Sequence, residues 1–180
     1  MRLYLLVHFL VLTSLFSFAQ TGISVLTQHN DLNRTGWNNK ETLLNHSNVT
    51  AGKFGRIGTF NVDDEVYAQP LVVNNIIAGN HTGGVLYTAT VNNTVYAFNA
   101  DDVTDTAFLW KVSLNPSGQR APNTSDLQDL QRGAACGGNY RDFSGRFGIV
   151  GTPVIDTATN TLYVATKTIA SGASDTVQFV

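Results

Sequence analysis

Hydrophobic residues after position 20 recur at alternate places in short runs that are rich in β-branched and aromatic side chains. No window sustains the i, i+3, i+4, i+7 spacing of an amphipathic helix over three turns, so the pattern predicts strands. The predicted strands are Arg56 to Val62, Ala68 to Val73, Gly84 to Thr90, Thr94 to Asn99, Phe108 to Ser113, Ile149 to Ile155, Thr161 to Thr168 and Thr176 to Val180. The polar turns Val91-Asn92-Asn93 and Asp101-Asp102 are typical of links between antiparallel neighbours.

Two stretches of the chain match in the same order, which indicates an internal repeat. Gln69 to Val73, Val85 to Thr90 and Thr94 to Phe98 align with Thr152 to Asp156, Thr161 to Thr166 and Thr176 to Phe179. Pro70 and Pro153 each open a strand, where the missing N–H removes no ladder hydrogen bond. The first unit continues to a fourth strand that carries Leu109-Trp110. Four antiparallel strands per unit, repeated around an axis, predict the blades of a β-propeller.

These residues resemble the blade motif of the quinoprotein alcohol dehydrogenase-like propellers, the pyrroloquinoline quinone repeat. The matching residues are Pro70-Leu71-Val72-Val73, Leu86-Tyr87-Thr88-Ala89-Thr90, Val95-Tyr96-Ala97-Phe98-Asn99-Ala100-Asp101 and Leu109-Trp110. The entry segment of that superfamily is similar to Arg34-Thr35-Gly36, Leu43-Leu44, Asn48-Val49 and Phe54-Gly55. The resemblance spans roughly residues 26 to 180. It implies an all-β propeller of four-stranded antiparallel blades.

The resemblance also implies an order of domains. Residues 20–55 form the entry segment, and residues 56–180 form part of the propeller. Within that part, blade one covers about 68–114, a long loop covers 115–148, and blade two begins at about 149. Because a propeller needs at least about four blades to close, we expect an N-terminal portion of about two blades, the second truncated, plus the closing strand at 56–62. The alternative is a two-sheet sandwich built from the same strands.

The first 19 residues are typical of a secretory signal peptide. Arg2 precedes an apolar run from Leu3 to Leu12, and Ser17 and Ala19 stand at the −3 and −1 positions of a cleavage site. Cleavage after Ala19 would give a secreted or periplasmic protein without a membrane span in the mature chain. The alternative is an uncleaved anchor helix, for which this apolar stretch is marginally short.

The composition narrows the class of protein. The chain has 11 Lys and Arg against 13 Asp and Glu, a formal charge of −2, and only 13% charged residues. It also has 21 Thr and 17 Asn but 2 Glu and 4 Lys, which excludes an all-helical protein. A nucleic-acid-binding protein would concentrate Lys and Arg on one face, and the near-neutral charge argues against that class.

The candidate binding residues lie in the long loop at 115–148. Such loops tend to be functional or disordered. Arg132, Arg141 and Arg146, with Asn139, could hold a carboxylate or phosphate ligand through paired donors. The alternative is a solvated insertion whose arginines stabilise the loop itself.

No metal site is predicted. The spacing of His29, Asp31 and Arg34 matches no zinc or hydrolase signature. The acidic groups Asp63-Asp64-Glu65 and Asp101-Asp102 with Asp105 do not follow the rhythm of a calcium loop.

The resemblance implies quinone binding, but the cysteine content of this chain does not match that pattern. The dehydrogenases of the superfamily stack the quinone against a disulfide between adjacent cysteines, with calcium beside it. Here Cys136 is the only cysteine and lies between Ala135 and Gly137, so the chain departs from that pattern.

The sequence therefore favours an exported propeller that acts as a binding or interaction scaffold for an unknown ligand or protein partner, with no catalysis or cofactor assignable. One alternative is a dehydrogenase of alcohols or sugars that depends on pyrroloquinoline quinone and calcium. The other is an extracellular hydrolase or lyase on a propeller frame.

Overall fold

The computed structural model describes residues 22–127, 143 and 145–170 and the backbone of residues 178–179. This part of the chain is all-β and antiparallel, with one short 3₁₀ turn at Thr124–Leu127. Its strands are β1 Leu71–Ala78, β2 His81–Ala89, β3 Thr94–Asn99, β4 Phe108–Ser113, β5 Gln119–Arg120, β6 Val154–Asp156, β7 Thr161–Tyr163, β8 Lys167–Ala170 and β9 Gln178–Phe179.

The first four strands form one antiparallel sheet in the order β1-β2-β3-β4. The prediction of β3 and β4 is confirmed to the residue, because both are short runs rich in aromatic and aliphatic residues and polar turns bound them. Asn93 ends the turn between β2 and β3 with a φ of 62°, a left-handed conformation that asparagine tolerates better than most residues. Gly79 serves the turn between β1 and β2 in the same way, with a φ of 62°.

A second hairpin, β6–β7, repeats the register of the first. Its pairs are Val154 with Tyr163, Ile155 with Leu162 and Asp156 with Thr161. The pairs in β1–β2 are Leu71 with Tyr87, Val72 with Leu86 and Val73 with Val85. When the two units are aligned at their prolines, all three pairs correspond.

The predicted strands Ala68 to Val73 and Gly84 to Thr90 are observed as the longer strands β1 and β2, which both extend toward the Gly79 turn. Three predicted strands of the second unit differ more from the observed ones. The stretch from Ile149 to Ile155 is paired with β7 only from Val154, after the proline that has no N–H to donate. The stretch from Thr161 to Thr168 divides into β7 and β8, and β8 pairs with β5 and β9. The last predicted strand is β9, which therefore lies beside β8 instead of completing the hairpin with β7.

The predicted strand Arg56 to Val62 is wrong, since the structure assigns no ladder pairing to these residues. The segment instead lies over one face of the first sheet, where the rings of Phe60 and Phe98 have centroids 4.7 Å apart. Tyr96 stacks beside Phe98, and both side chains are buried. We call this the Phe98 face of the sheet.

The opposite face carries Tyr87, Ala97 and Trp110 in one row across β2, β3 and β4, and we call it the Tyr87 face. One end of it forms the core with the second unit. Ala89 and Val95 pack there with Ile149, and Leu114 and Val164 cover the cluster. The two units therefore join through the Tyr87 face of the first.

An N-terminal segment lies between the first strands of the two units. Val25 and Val72 exchange two backbone hydrogen bonds of 2.8 and 3.1 Å. The carbonyl of the next residue, Leu26, accepts a hydrogen bond of 2.9 Å from the N–H of Ile155. Val72 and Ile155 hold equivalent positions in the two units. One N-terminal segment therefore forms backbone hydrogen bonds with the first strand of each unit.

Candidate functional site

Of the four predicted ligand residues, Arg146 lies in the described part of the chain, and Arg132, Asn139 and Arg141 lie outside it. Arg146 forms an isolated antiparallel bridge with Asn123. The next two residues are also fixed by backbone bonds: Phe147 donates to Pro122 at 2.9 Å and Gly148 to Val91 at 2.8 Å. These contacts place Arg146 at the end of the first sheet, beside the β2–β3 turn.

The Arg146 guanidinium is held by a carboxylate. Its Nη1 lies 3.1 Å from Oδ2 of Asp64, and its side chain is 47% exposed. Among the described residues Asp64 is the side chain that bonds this guanidinium, which leaves room for a second, bidentate acceptor from solvent. Asp64 is itself mostly buried, so it fixes the position of the arginine. Its negative charge also partly neutralises the guanidinium.

The neighbouring Asp63 anchors this acidic segment to the sheet. Its carboxylate accepts hydrogen bonds from Thr90 Oγ1 at 2.7 Å, Asn92 Nδ2 at 3.0 Å and Thr94 Oγ1 at 2.6 Å. Burial raises the pKa of Asp63, but the side-chain bonds from Thr94, Asn92 and Thr90 outweigh it, and the pKa lies below its ordinary value. The three donors belong to the β2–β3 turn and the strand ends beside it, so Asp63 holds the turn in place.

The buried Asn93 ties this end of the sheet to the second unit. Its Nδ2 donates to Oδ1 of Asn115 at 2.9 Å and to the carbonyl of Lys167 at 2.7 Å. Two acceptors at that position fix the orientation of the amide. Its Oδ1 faces Gly148 closely, since a Cβ placed on Gly148 would lie 2.1 Å from it. Glycine at 148 is therefore required for Arg146 to sit beside the turn.

A second cation, Lys167, contacts the residue that follows Arg146. The Nζ of the half-buried Lys167 is 3.5 Å from the carbonyl oxygen of Phe147, the residue that follows Arg146. Burial lowers the pKa of Lys167. Partial removal of this ammonium group from water strengthens its attraction to any anion that reaches it.

Arg120 has a structural role. It forms a bidentate pair with Asp126, with both N–O distances at 2.7 Å. Asp126 also accepts the backbone N–H of Asn123 at 2.7 Å. The bonds from Arg120 are the main cause of a lowered pKa at Asp126. This pair closes the loop that carries Asn123 to its bridge with Arg146, so it supports the site without facing a ligand.

The other acidic groups serve turns in the structure. Asp102 accepts the backbone N–H and the hydroxyl of Thr104, and Asp101 accepts the N–H of Gly84 at 2.7 Å. The hydroxyl of Thr35 donates to Asp31 and is the main cause of its lowered pKa. Among the residues with described positions, no three His, Cys, Asp or Glu side chains are grouped to hold a metal ion.

Sequence reasoning missed Asp64 as the partner of Arg146 and Lys167 as the neighbouring cation. In the sequence Asp64 stands out only as one of three consecutive acidic residues, and its partner is 82 positions away. The only available signal was charge, since Lys167 is one of 4 lysines and Asp64 lies in the longest acidic run.

In comparisons with known proteins, no protein-family model, curated protein or solved structure matches the chain. Across the residues that the structure covers, no helix has the length and apolarity needed to cross a bilayer.

Proposed function

We propose that the protein is an exported β-propeller of the quinoprotein-like class that works as a binding scaffold. The leader Met1 to Ala19 supports export. The four-stranded first sheet and the shared register of the two hairpins support repeated units of one kind. The packing of the second unit on the Tyr87 face supports face-to-face stacking of those units, as in blades.

The scaffold binds an anionic ligand, a carboxylate or a phosphate, at the Arg146 end of the first sheet. The observation that carries this proposal is the half-exposed guanidinium of Arg146, which the bridge to Asn123, the backbone bonds of Phe147 and Gly148 and one contact to Asp64 hold in place. A fixed guanidinium loses little conformational entropy on binding. Lys167, whose Nζ lies 3.5 Å from the carbonyl oxygen of Phe147, adds a positive charge next to this segment.

The proposal is tested by titrating the protein with inorganic phosphate and with succinate at low ionic strength, using calorimetry. Arg146→Gln should weaken binding of the preferred anion by at least about tenfold, since a charge-assisted bidentate contact is lost. Arg56→Gln removes an equal charge from an exposed arginine elsewhere and serves as the matched control. It should leave the affinity unchanged.

A second variant gives an effect of opposite sign. Asp64→Asn removes the carboxylate that competes for the guanidinium, so the anion should bind more tightly than to the parent protein. No anion binding by the parent, or equal binding by the Arg146→Gln variant, would refute the site.

A further inference from the structure

A pocket of about 460 Å³ lies within the N-terminal segment, and all of its lining residues fall between positions 23 and 40. We call it the N-terminal pocket, and it shares no residue with the proposed anion site. Most of its lining side chains are polar and uncharged, and they include the amides of Asn30, Asn33 and Asn39. The formal charges of Asp31 and Lys40, which also line it, are opposite and equal. The pocket is therefore polar without a net charge.

Backbone turns hold the segment around the pocket in shape. His29, Asn30, Arg34 and Gly36 have left-handed φ values between 56° and 75°. The N–H of Gly36 closes the loop by donating to the carbonyl of His29 at 2.9 Å. The N–H of His29 in turn donates to Oε1 of Gln69 at 3.0 Å, which anchors the loop beside β1. A ligand that enters a loop already fixed in this way loses little of its binding energy to ordering the protein.

Trp37 lines the pocket and is 68% exposed. The hydroxyl of Thr35 connects it to Asp31. This hydroxyl donates to the Asp31 carboxylate and accepts the backbone N–H of Trp37 at 3.3 Å. The carboxylate also accepts the backbone N–H of Thr35 at 3.3 Å. The backbone that carries the indole is therefore tied to the polar lining of the pocket.

The three asparagine amides of the pocket have hydrogen-bonding capacity to spare. Across the described part of the chain, the side chains of Asn30, Asn33 and Asn39 form no hydrogen bond with another residue. Each amide has two N–H donors and one carbonyl acceptor, so it can donate to one hydroxyl group and accept from the next. Groups of this kind match a ligand that carries several neighbouring hydroxyls.

We propose that the N-terminal pocket binds a neutral pyranose sugar. The ring of such a sugar has a face of C–H groups, which lies on the indole of Trp37 and removes apolar surface of both from water. Its hydroxyl groups pair with the three amides. A charged ligand would meet a like charge from either Asp31 or Lys40, and an apolar ligand would leave the amides without partners. The chemistry of the pocket therefore favours a neutral ring that carries hydroxyl groups.

The probe is cellobiose, a neutral disaccharide of two glucopyranose rings. The protein has 2 tryptophans, so Trp110→Phe leaves Trp37 as the reporter of the pocket. Added cellobiose should cause a saturable blue shift of Trp37 emission, because the sugar ring displaces water from the indole. Sorbitol carries hydroxyl groups on an open chain and has no ring face, so it should cause no saturable shift at the same concentrations.

Two double variants of the Trp110→Phe protein locate the effect. Asn33→Ala combined with Asn39→Ala removes two of the three amides and should weaken cellobiose binding by at least about tenfold. Neither residue has a left-handed φ, so alanine does not strain the loop. Asn61→Ala combined with Asn80→Ala makes the same change at two exposed asparagines outside the pocket, and it should keep the affinity.

Three results would each overturn the sugar site. The first is the absence of a saturable shift with cellobiose, and the second is equal binding of sorbitol. The third is parental affinity for cellobiose in the variant that lacks the amides of Asn33 and Asn39.

Discussion

The backbone N–H of Gln69 donates a hydrogen bond of 3.0 Å to Oγ1 of Thr152, and the two residues hold equivalent positions in the two units. Each precedes the proline that opens the first strand of its unit. Units related by a rotation bring equivalent residues together only near the common axis. The contact therefore supports an arrangement in which the first strands lie nearest that axis, as in a propeller.

Thr152→Val should lower the free energy of unfolding by about 1 kcal/mol, because it removes the acceptor of a partly buried N–H while keeping the shape of the side chain. Urea unfolding measures the change. Thr106→Val makes the same substitution at an exposed position between β3 and β4, and it should alter stability by a few tenths of a kcal/mol at most. An equal effect of the two variants would show that the Gln69 contact contributes nothing to the joining of the units.

Gly148→Ala should destabilise the protein severely. The added Cβ would lie 2.1 Å from Asn93 Oδ1 and 2.7 Å from the carbonyl oxygen of Val91. The amide of Asn93 cannot turn away without losing its bonds to Asn115 and Lys167, and the Val91 carbonyl belongs to the turn itself. Overpacking of this kind costs about 1 to 3 kcal/mol or more.

Thermal unfolding of Gly148→Ala and Gly145→Ala compares the crowded position with an open one. A Cβ on Gly145 meets no atom within 4 Å, so this variant should unfold at or near the parental temperature. A parental unfolding temperature for Gly148→Ala would contradict the close approach of residues 146–148 to the β2–β3 turn.

Short runs of aromatic and aliphatic residues were sufficient to predict β3 and β4, because polar turns at Asn92-Asn93 and Asp101-Asp102 bound these strands. The same signal failed at Arg56 to Val62. A local pattern cannot distinguish a strand that pairs in a ladder from an extended segment whose one aromatic, Phe60, covers a sheet face. That distinction depends on which distant surface needs covering.

The site was predictable only in part for the same reason. A long polar segment rich in arginine pointed to Arg146, whose backbone position is now defined by its bridge to Asn123. Its pairing with Asp64 rests on the β2–β3 turn, which brings the segment after Phe60 and the end of the long loop to one place. No rule of local spacing relates residues 82 positions apart.

The carboxylate of Asp63 should make the stability of the fold depend on pH in the acid range. Because the pKa of its folded-state carboxyl lies below the ordinary value of 3.8, the charged form stabilises the fold at neutral pH. That contribution is fully present above the unfolded-state pKa and is lost as the pH falls through the lower, folded-state pKa. Asp63→Asn should lower the free energy of unfolding by about 1 kcal/mol at pH 7, since one side of the amide turns a donor toward the hydroxyls of Thr90 and Thr94.

The difference between Asp63→Asn and the parent should therefore narrow as the pH falls from about 4 downward, because protonation removes the same charge from the parent. Urea unfolding at a series of pH values follows the two proteins. Asp105→Asn is the control, since the side chain of this exposed aspartate accepts a long 3.3 Å hydrogen bond from the N–H of Ala107 and none from a hydroxyl group within the described chain. A gap between Asp63→Asn and the parent that stays constant down to pH 2 would mean that shape, and not the charge on Asp63, holds Thr90 and Thr94 in the turn beside Arg146.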